Sequence, residues 1–221
     1  MNWNIVKGAC LALLPVAGTL KAQEKPNIVV ILADDLASNE ISCYGGKNLK
    51  TPNIDRIAEE GIRFTNNFAS CAMSVPIRAS LYTGLYPARH GSYQNHKISY
   101  SDIKSVTYYL PQAGYRVGRA GKTHTVPKSV FNFEKVPGFE ENCIAVTADY
   151  TVDGIRDFMR QDSPFCLFVC STLSHAPWTC GNKDEFDADK VILPPNCVDN
   201  KGTRELFRRL LAEIRALDNQ V

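Results

Sequence analysis

The sequence predicts an α/β fold with a mostly parallel central sheet. Two apolar runs, Asn27–Ala33 and Phe165–Cys170, show no alternation of polar and apolar residues, which is typical of parallel strands covered on both faces. Between them, Tyr150–Arg160 has the apolar spacing of a helix that crosses over from one parallel strand to the next. A chain of 221 residues is long enough for one domain with an adequate core.

The N-terminal segment predicts a secretory signal peptide over residues 1–22. Lys7 precedes an apolar run over residues 8–20, which is short for a bilayer-spanning helix. Leu20 is bulky for the third position before a cleavage site, and a buried N-terminal helix is the alternative. We expect an exported protein, periplasmic or secreted, with no stable membrane anchor and a mature part over residues 23–221.

Charge and cysteine content narrow the class of protein. The net charge is +2 with 22% charged residues, so we expect no nucleic-acid partner. Removing Cys10 with the signal leaves seven cysteines, an odd number that leaves one thiol without an internal partner. Cys166 and Cys170 lie inside an apolar run, where they are expected to act as small buried hydrophobes. No ligand spacing indicates structural zinc.

Two helices and a strand complete the predicted scaffold. A helix is expected from Thr51, its N-cap, to Gly61. Residues 62–68 predict a strand that leads to Ser74. Thr203–Asn219 predicts an amphipathic helix. Because Asp218 lies inside that helical pattern, we do not assign it as a metal ligand.

Asp34 and Asp35 stand at the end of the first predicted strand. Adjacent carboxylates there repel each other and lose hydration, so they need a cation or strong donors. Ligands of open α/β sheets bind beyond the carboxyl ends of strands. A hard divalent cation, Ca²⁺ or Mg²⁺, is the natural partner. The alternative is a solvated turn that caps a helix.

The segment from Ser74 to Gly84 predicts an anion site at a helix start. Pro76 pushes Val75 toward extended geometry, which breaks the chain ahead of the helix. Unpaired backbone N–H groups at such a start favour an anion. Arg78 adds a fork of donors in the first turn. An ordinary proline-started helix with a surface arginine is the alternative.

Three basic residues follow two predicted strands, Tyr115–Ala120 and Phe165–Cys170. Lys122 and His124 are two residues apart, so in extended chain they point to the same side and suit a tetrahedral dianion. A surface lysine beside a capping histidine is the alternative. His175 follows Phe165–Cys170 at the same edge as the Asp pair, where it suits protonation of a leaving alkoxide or amine. A hydrogen-bonded core histidine is the alternative.

Ser74–Gly84 resembles the signature of the sulfatase family, which runs Cys or Ser, any residue, Pro, a small residue, then Arg, and ends in Leu/Met-Thr-Gly. Ile77 and Tyr82 depart from that pattern. In this family the first residue is oxidised to formylglycine, whose hydrated aldehyde is the nucleophile. A serine there implies the anaerobic route, and hence a radical-using sulfatase-maturing enzyme as a partner.

The resemblance also implies a role for each of the other candidates. Asp34 and Asp35, with the modified Ser74, would be ligands of Ca²⁺ or Mg²⁺. The segment Gly121–His124 is similar to the family's Gly-Lys-x-His, which contacts the formylglycine and the sulfate, and His175 matches its His-x-Pro. The implied catalytic set is Ser74, Arg78, Lys122, His124 and His175.

For the fold, the resemblance implies a three-layer α/β sandwich like that of alkaline phosphatases. It covers residues 25–221 and corresponds to the N-terminal part of a sulfatase catalytic domain. We therefore expect a C-terminally truncated domain, with an exposed sheet edge and an unburied face. The remaining cation ligands of the family come from a later strand.

The implied activity is hydrolysis of a sulfate ester or sulfamate on a sulfated sugar. Gly121–Pro127 and His175–Gly181 resemble heparan N-sulfatases among the sulfatases, which suggests glycosaminoglycan degradation. Two alternatives stay open. An unmodified Ser74 would make the chain a phosphoryl-transfer enzyme of the alkaline phosphatase superfamily. The chain would otherwise be an inactive exported fragment that only binds sulfated glycan.

Overall fold

The computed structural model describes residues 25–221. The predicted signal peptide, residues 1–22, lies outside the described residues. Within the described range, no helix has both the length and the apolar character needed to cross a bilayer.

A parallel sheet forms the centre of the fold. Its spatial order is β1-β4-β2-β3, and each neighbouring pair is parallel. Strand β4 therefore has a parallel partner on both sides, as its unbroken apolar sequence predicts. The described strands are β1 Ile28–Leu32, β2 Arg116–Gly121, β3 Glu134–Val136 and β4 Phe165–Cys170.

Helices connect the strands and cover the sheet. The predicted crossover helix forms over a shorter range, as α5, and the predicted C-terminal helix extends to Gln220, as α6. The described helices are α1 Pro52–Glu60, α2 Ser74–Thr83, α3 Pro87–His90, α4 Val106–Gln112, α5 Asp153–Met159 and α6 Lys201–Gln220, with short 3-10 turns at Ser38–Glu40, Ser42–Tyr44 and Lys183–Glu185.

The two faces of β4 pack into different apolar clusters, which makes the fold three-layered. Cys166, Phe168 and Cys170 pack with Tyr82 of α2. The alternate residues of β4 pack with Phe158 of α5 on the other side of the sheet. The predicted three-layer α/β sandwich and the burial of both strand cysteines are thus confirmed.

The carboxyl ends of β1, β4 and β2 are in register. Leu32 lies opposite Cys170, and Cys170 lies opposite Gly121. The chain then leaves each strand at the same edge of the sheet, so residues that follow the three strands meet there. This register brings the segments after Leu32, Gly121 and Cys170 together.

Two predictions about strands are wrong. Strand β1 is buried on one face only, since Val29 and Ile31 are 48% and 41% exposed. Strand β1 is also an edge of the described sheet, where it pairs with β4 alone. Residues 62–68 form no strand, because the apolar side chains of Ile62 and Phe68 are 82% and 86% exposed and have no core to pack against.

Helix α1 obtains its N-cap from the other end of the chain. Thr51 occupies the predicted cap position but accepts no hydrogen bond from the helix start. The buried carboxylate of Asp218 in α6 instead accepts from the backbone N–H groups of Asn53 and Ile54, at 3.3 and 2.9 Å. Asp218 therefore joins α6 to the start of α1 and stabilises it electrostatically.

We expect Asp218→Ala to lower the free energy of unfolding by about 2–3 kcal/mol, because it removes a cap and leaves buried N–H groups unpaired. Urea unfolding followed by circular dichroism measures the change. Asp157→Ala is the matched control: Asp157 is exposed on α5, and its loss should cost no more than about 0.5 kcal/mol. Equal losses of stability from the two substitutions would contradict the role of Asp218 as the N-cap of α1.

Candidate active site

A buried ion cluster lies at the carboxyl edge of the sheet. Asp34, two residues after β1, accepts from Arg78 Nη2 at 3.2 Å and from Lys122 Nζ. Arg78 is 4% exposed and Lys122 is fully buried, so neither is a surface side chain. Lys122 Nζ also donates to the carbonyl of Cys143 at 3.1 Å. Two cations and one carboxylate leave one excess positive charge out of water, which favours an anion.

Ser74 is the first residue of α2, and the helix starts earlier than predicted. Met73 is the last extended residue, whereas Ser74, Val75 and Pro76 are all helical. Pro76 is tolerated because a first-turn N–H has no intrahelical partner. The helix ends at Gly84 (φ 70°), as predicted. The Ser74 side chain therefore lies at the positive end of a ten-residue helix.

The Ser74 hydroxyl has two basic neighbours. It accepts from Arg78 Nε at 3.2 Å and lies 2.9 Å from His124 Nδ1. Because arginine is only a donor, the hydroxyl hydrogen is free for His124. Burial, then the charges of Lys122 and Arg78, lower the pKa of His124 to about 4. A neutral imidazole accepts at Nδ1 and carries its hydrogen on Nε2, which is buried without a partner.

Asp35 and His175 lie on the exposed side of the same edge. Asp35 Oδ2 is 3.6 Å from His175 Nε2, and the two side chains are 55% and 28% exposed. His175 Nδ1 donates to the carbonyl of Ala176 at 2.6 Å, which fixes the orientation of the ring. His175 is therefore a partly exposed residue rather than a core histidine.

A cleft of about 310 Å³ opens beside the cluster. Its polar wall is formed by Asp34, Asp35, Ser74 and Arg78, and its apolar wall includes Leu81. Arg78 Nη1 is buried and has no hydrogen-bond partner. An unpaired charged donor is costly unless a ligand satisfies it, so the cleft suits an anion with several acceptor oxygens.

The oxygen atoms available for a cation are few. Residues 25–221 contain no group of three or more His, Cys, Asp and Glu side chains that could hold a metal ion. Asp34 and Asp35 contribute carboxylates, and Ser74 an oxygen near Arg78. Such oxygens are hard ligands, the kind that Ca²⁺ and Mg²⁺ prefer. Their chemistry fits part of a ligand set, and the assignment of Asp34, Asp35 and Ser74 as ligands stays a prediction.

Every candidate residue predicted from the sequence lies at this edge, but two neighbours were missed. Asn95 Oδ1 accepts from the backbone N–H of Val75 at 3.0 Å. The ring of His96 lies 5.5 Å from that of His124. No periodicity or strand end marks either residue, because a turn of the chain brings them there. His90 is fully buried and its Nε2 lies 3.1 Å from the Ser80 hydroxyl, which suits a structural role.

The fold and this site define an α/β protein with a buried serine at a helix start, beside a cluster of excess positive charge. A comparison of the sequence with models of known protein families identifies the family. The family model described as Sulfatase matches residues 26–190. The chain therefore belongs to the sulfatase family, as the signature at Ser74 predicts.

Several curated relatives are named as sulfatases or as a sulphohydrolase. The ulvan-active sulfatase of Formosa agariphila is 38% identical over 161 residues, which are 70% of this chain and 31% of the relative. The human N-sulphoglucosamine sulphohydrolase is 34% identical over 185 residues, 79% of this chain and 36% of that protein. The chain spans about a third of the length of these relatives.

One similar solved structure is that of a protein in complex with its substrate D-glucosamine-2-N,6-O-disulfate. The match covers 78% of this chain and 40% of that protein's chain, with a TM-score of 0.64 and 27% sequence identity. Together with the three layers and the parallel sheet, this likeness confirms the predicted alkaline-phosphatase-like architecture.

We expect the pH dependence of the free energy of unfolding to depend on the half-buried, neutral His124. Its pKa lies near 4 in the folded chain against an ordinary 6.5, so the unfolded chain binds more protons between these values. The free energy of unfolding should therefore fall as the pH drops from about 6.5 to about 4. His124→Asn should reduce this slope in urea unfolding.

Ser74→Ala is the control, since it keeps the imidazole and its burial, and it should retain the slope of the unsubstituted chain. Burial also lowers the pKa of His90, so part of the slope should persist in His124→Asn. An unchanged slope in His124→Asn would contradict a neutral, half-buried imidazole at this position.

Proposed function

We propose that this chain carries the sulfate-binding half of a hydrolase for sulfate esters or sulfamates of sugars, with Ser74 converted to formylglycine. The observation that carries the proposal is the buried, unpartnered Nη1 donor of Arg78. It lies in a cluster with excess positive charge, beside a hydroxyl at a helix start. Sulfate supplies the acceptor oxygens that such a donor lacks.

Arg78 and Lys122 have different roles in this proposal. Arg78 donates to both Asp34 and Ser74, so its guanidinium is held rigidly, with Nη1 left for a sulfate oxygen. Lys122 is fully buried behind Asp34. Lys122 neutralises that carboxylate. It also keeps the electrostatic potential of the site positive when negative charge develops on the sulfate oxygens.

The two histidines would handle protons at different atoms. Neutral His124 is placed to take a proton at Nδ1 from the hydroxyl at position 74, 2.9 Å away. His175, on the exposed side beside Asp35, is placed to protonate the oxygen or nitrogen of the departing sugar at Nε2. Asp35 and the Ala176 carbonyl keep its ring in position.

Two groups would complete this chemistry. A formylglycine supplies a hydrated aldehyde as nucleophile, and a divalent cation withdraws charge from the sulfate oxygens. Asp34 and Asp35 would hold the cation as two of its ligands. Conversion of the Ser74 CH₂OH group to an aldehyde would remove two electrons and two protons; the radical-using maturing enzyme, as the oxidant, would take up the electrons, and the protons would pass to solvent.

The substrate class follows from the relatives. The human relative is named for N-sulphoglucosamine and another for ulvan, and the matched complex holds a disulfated glucosamine. We propose a sulfated sugar, as in glycosaminoglycan degradation. Export to the periplasm or cell exterior, through a signal over residues 1–22, is part of this proposal.

A second candidate function rests on the Ser74–His124 hydrogen bond. A serine hydroxyl 2.9 Å from a neutral imidazole has the geometry of a nucleophile beside its base. An unmodified Ser74 would then attack a phosphate monoester in the same cleft. The chemical state of Ser74 separates the two candidates.

We expect mass spectrometry of the Ser74 peptide to show an aldehyde after co-expression with an anaerobic sulfatase-maturing enzyme, and an unmodified serine without it. Sulfate release from an aryl sulfate or a sulfated glucosamine should appear only in the matured protein. Ser74→Ala should give neither. An intact serine together with phosphatase activity would favour the second candidate instead.

We expect Arg78→Gln to lower kcat/KM of the matured protein for an aryl sulfate by about 10²-fold or more, because it removes a preorganised donor to the sulfate. Steady-state kinetics measure the change. Arg89→Gln is the matched control, since Arg89 is exposed on α3 and should leave the rate unchanged. Comparable losses in both variants would contradict the role of Arg78.

A further inference from the structure

The 92–99 loop, residues Ser92 to Ser99, lies against the start of α2 and is held at both ends. The hydroxyls of Ser92 and Ser99 lie 2.6 Å apart in a buried hydrogen bond. The N–H of Ser92 donates to Nδ1 of the buried His90. At the tip, Asn95 Oδ1 accepts from the N–H of Val75, next to Ser74. The position of this loop is therefore set by the same helix that carries the hydroxyl.

His96 projects from the tip of the 92–99 loop beside the site. Its ring lies edge-to-face with that of His124, at a centroid distance of 5.5 Å and an interplanar angle of 61°, and His124 in turn contacts Ser74. His96 is exposed, so its ring nitrogens are accessible to a ligand. Its φ of 65° is a strained left-handed conformation, which the anchors of the loop hold in place.

The 92–99 loop is basic, since it contains His96 and Lys97 and no acidic residue. The neighbouring segment Lys122–His124 adds a buried lysine and a second histidine. The opposite side of the site carries the partly exposed Asp35. A sugar whose sulfate lies at Ser74 therefore meets donors and positive charge on the His96 side.

We propose that His96 is a specificity-determining residue that donates a hydrogen bond to a second anionic group on the sulfated sugar, a sulfate or a carboxylate. This inference rests on the proposed function, because it places the scissile sulfate at Ser74 and Arg78. His96 contributes no step to sulfate transfer. It selects, among sulfated sugars, those with a further negative charge.

Imidazole NMR tests the inference through binding, without the need for turnover. The chain has only four histidines, so His96→Gln identifies the His96 signal by its loss. The ligands are D-glucosamine-2-N,6-O-disulfate, N-acetylglucosamine 6-sulfate and a 2-sulfated uronic acid. The first and third carry a second anionic group, which is a sulfate in one and a carboxylate in the other.

We expect both doubly anionic sugars to shift the His96 and His124 signals, and the singly sulfated sugar to shift that of His124 alone. His96→Gln should reduce the affinity preference for doubly over singly anionic sugars by about 10-fold, since a charge-assisted hydrogen bond is lost. His96→Asn should reduce this affinity preference to the same extent. Lys104→Ala is the matched control: Lys104 lies over the Tyr108 ring, 4.8 Å from its centroid, and the preference should persist.

The outcomes separate the inference from the proposed function. A shift of the His124 signal with an unchanged preference in His96→Gln would overturn the role of His96 and leave the sulfate site intact. A preference for only one doubly anionic sugar would identify whether the group is a sulfate or a carboxylate. If no sulfated sugar shifts the His124 signal, both the proposed function and the inference fail.

Discussion

The ion cluster of Asp34, Arg78 and Lys122 is the constraint on which the rest of the site depends. All three side chains are buried. Removing Asp34 would leave two uncompensated cations out of water, and removing either cation would leave Asp34 with a single ion-pair partner. The cluster therefore ties β1, α2 and the end of β2 to one another at a single point. Its excess of positive charge also explains why a buried serine at the start of α2 suits an anion, since the helix dipole and the cluster have the same sign there.

The sheet gives this cluster its geometry. Because β1, β4 and β2 end in register, Asp34 and Lys122 reach each other across the end of β4. Backbone hydrogen bonds join the strand ends, from Ser171 to Leu32 and from Lys122 to Cys170. The segment with His175 is held from behind by α6, where the buried Glu213 accepts from the N–H of Cys180 at 3.0 Å. Rigid elements on both sides thus limit how far the charged groups can move.

Most of the site was predictable because its residues follow strands or begin a helix. Asp34, Lys122 and His175 lie in the segments that follow β1, β2 and β4, and parallel strands bring such segments to one edge. Asn95 and His96 were not predictable, since they lie in a turn whose place depends on Val75. The sequence predicts a later start of α2, because Pro76 favours extended geometry at Val75, whereas the helix begins at Ser74. The strand predicted over residues 62–68 failed because no neighbouring strand pairs with it.

The sequence by itself determined the α/β class, the parallel strand β4 and the family signature around Ser74, because apolar periodicity and short motifs are local properties of the chain. Tertiary structure decided which charges are buried together, that Asp218 caps α1, and that His124 is neutral beside the Ser74 hydroxyl. These features depend on contacts between residues far apart in the chain and on the loss of water around them. Burial and long-range contacts exist only in the folded chain, so no local sequence pattern predicts them.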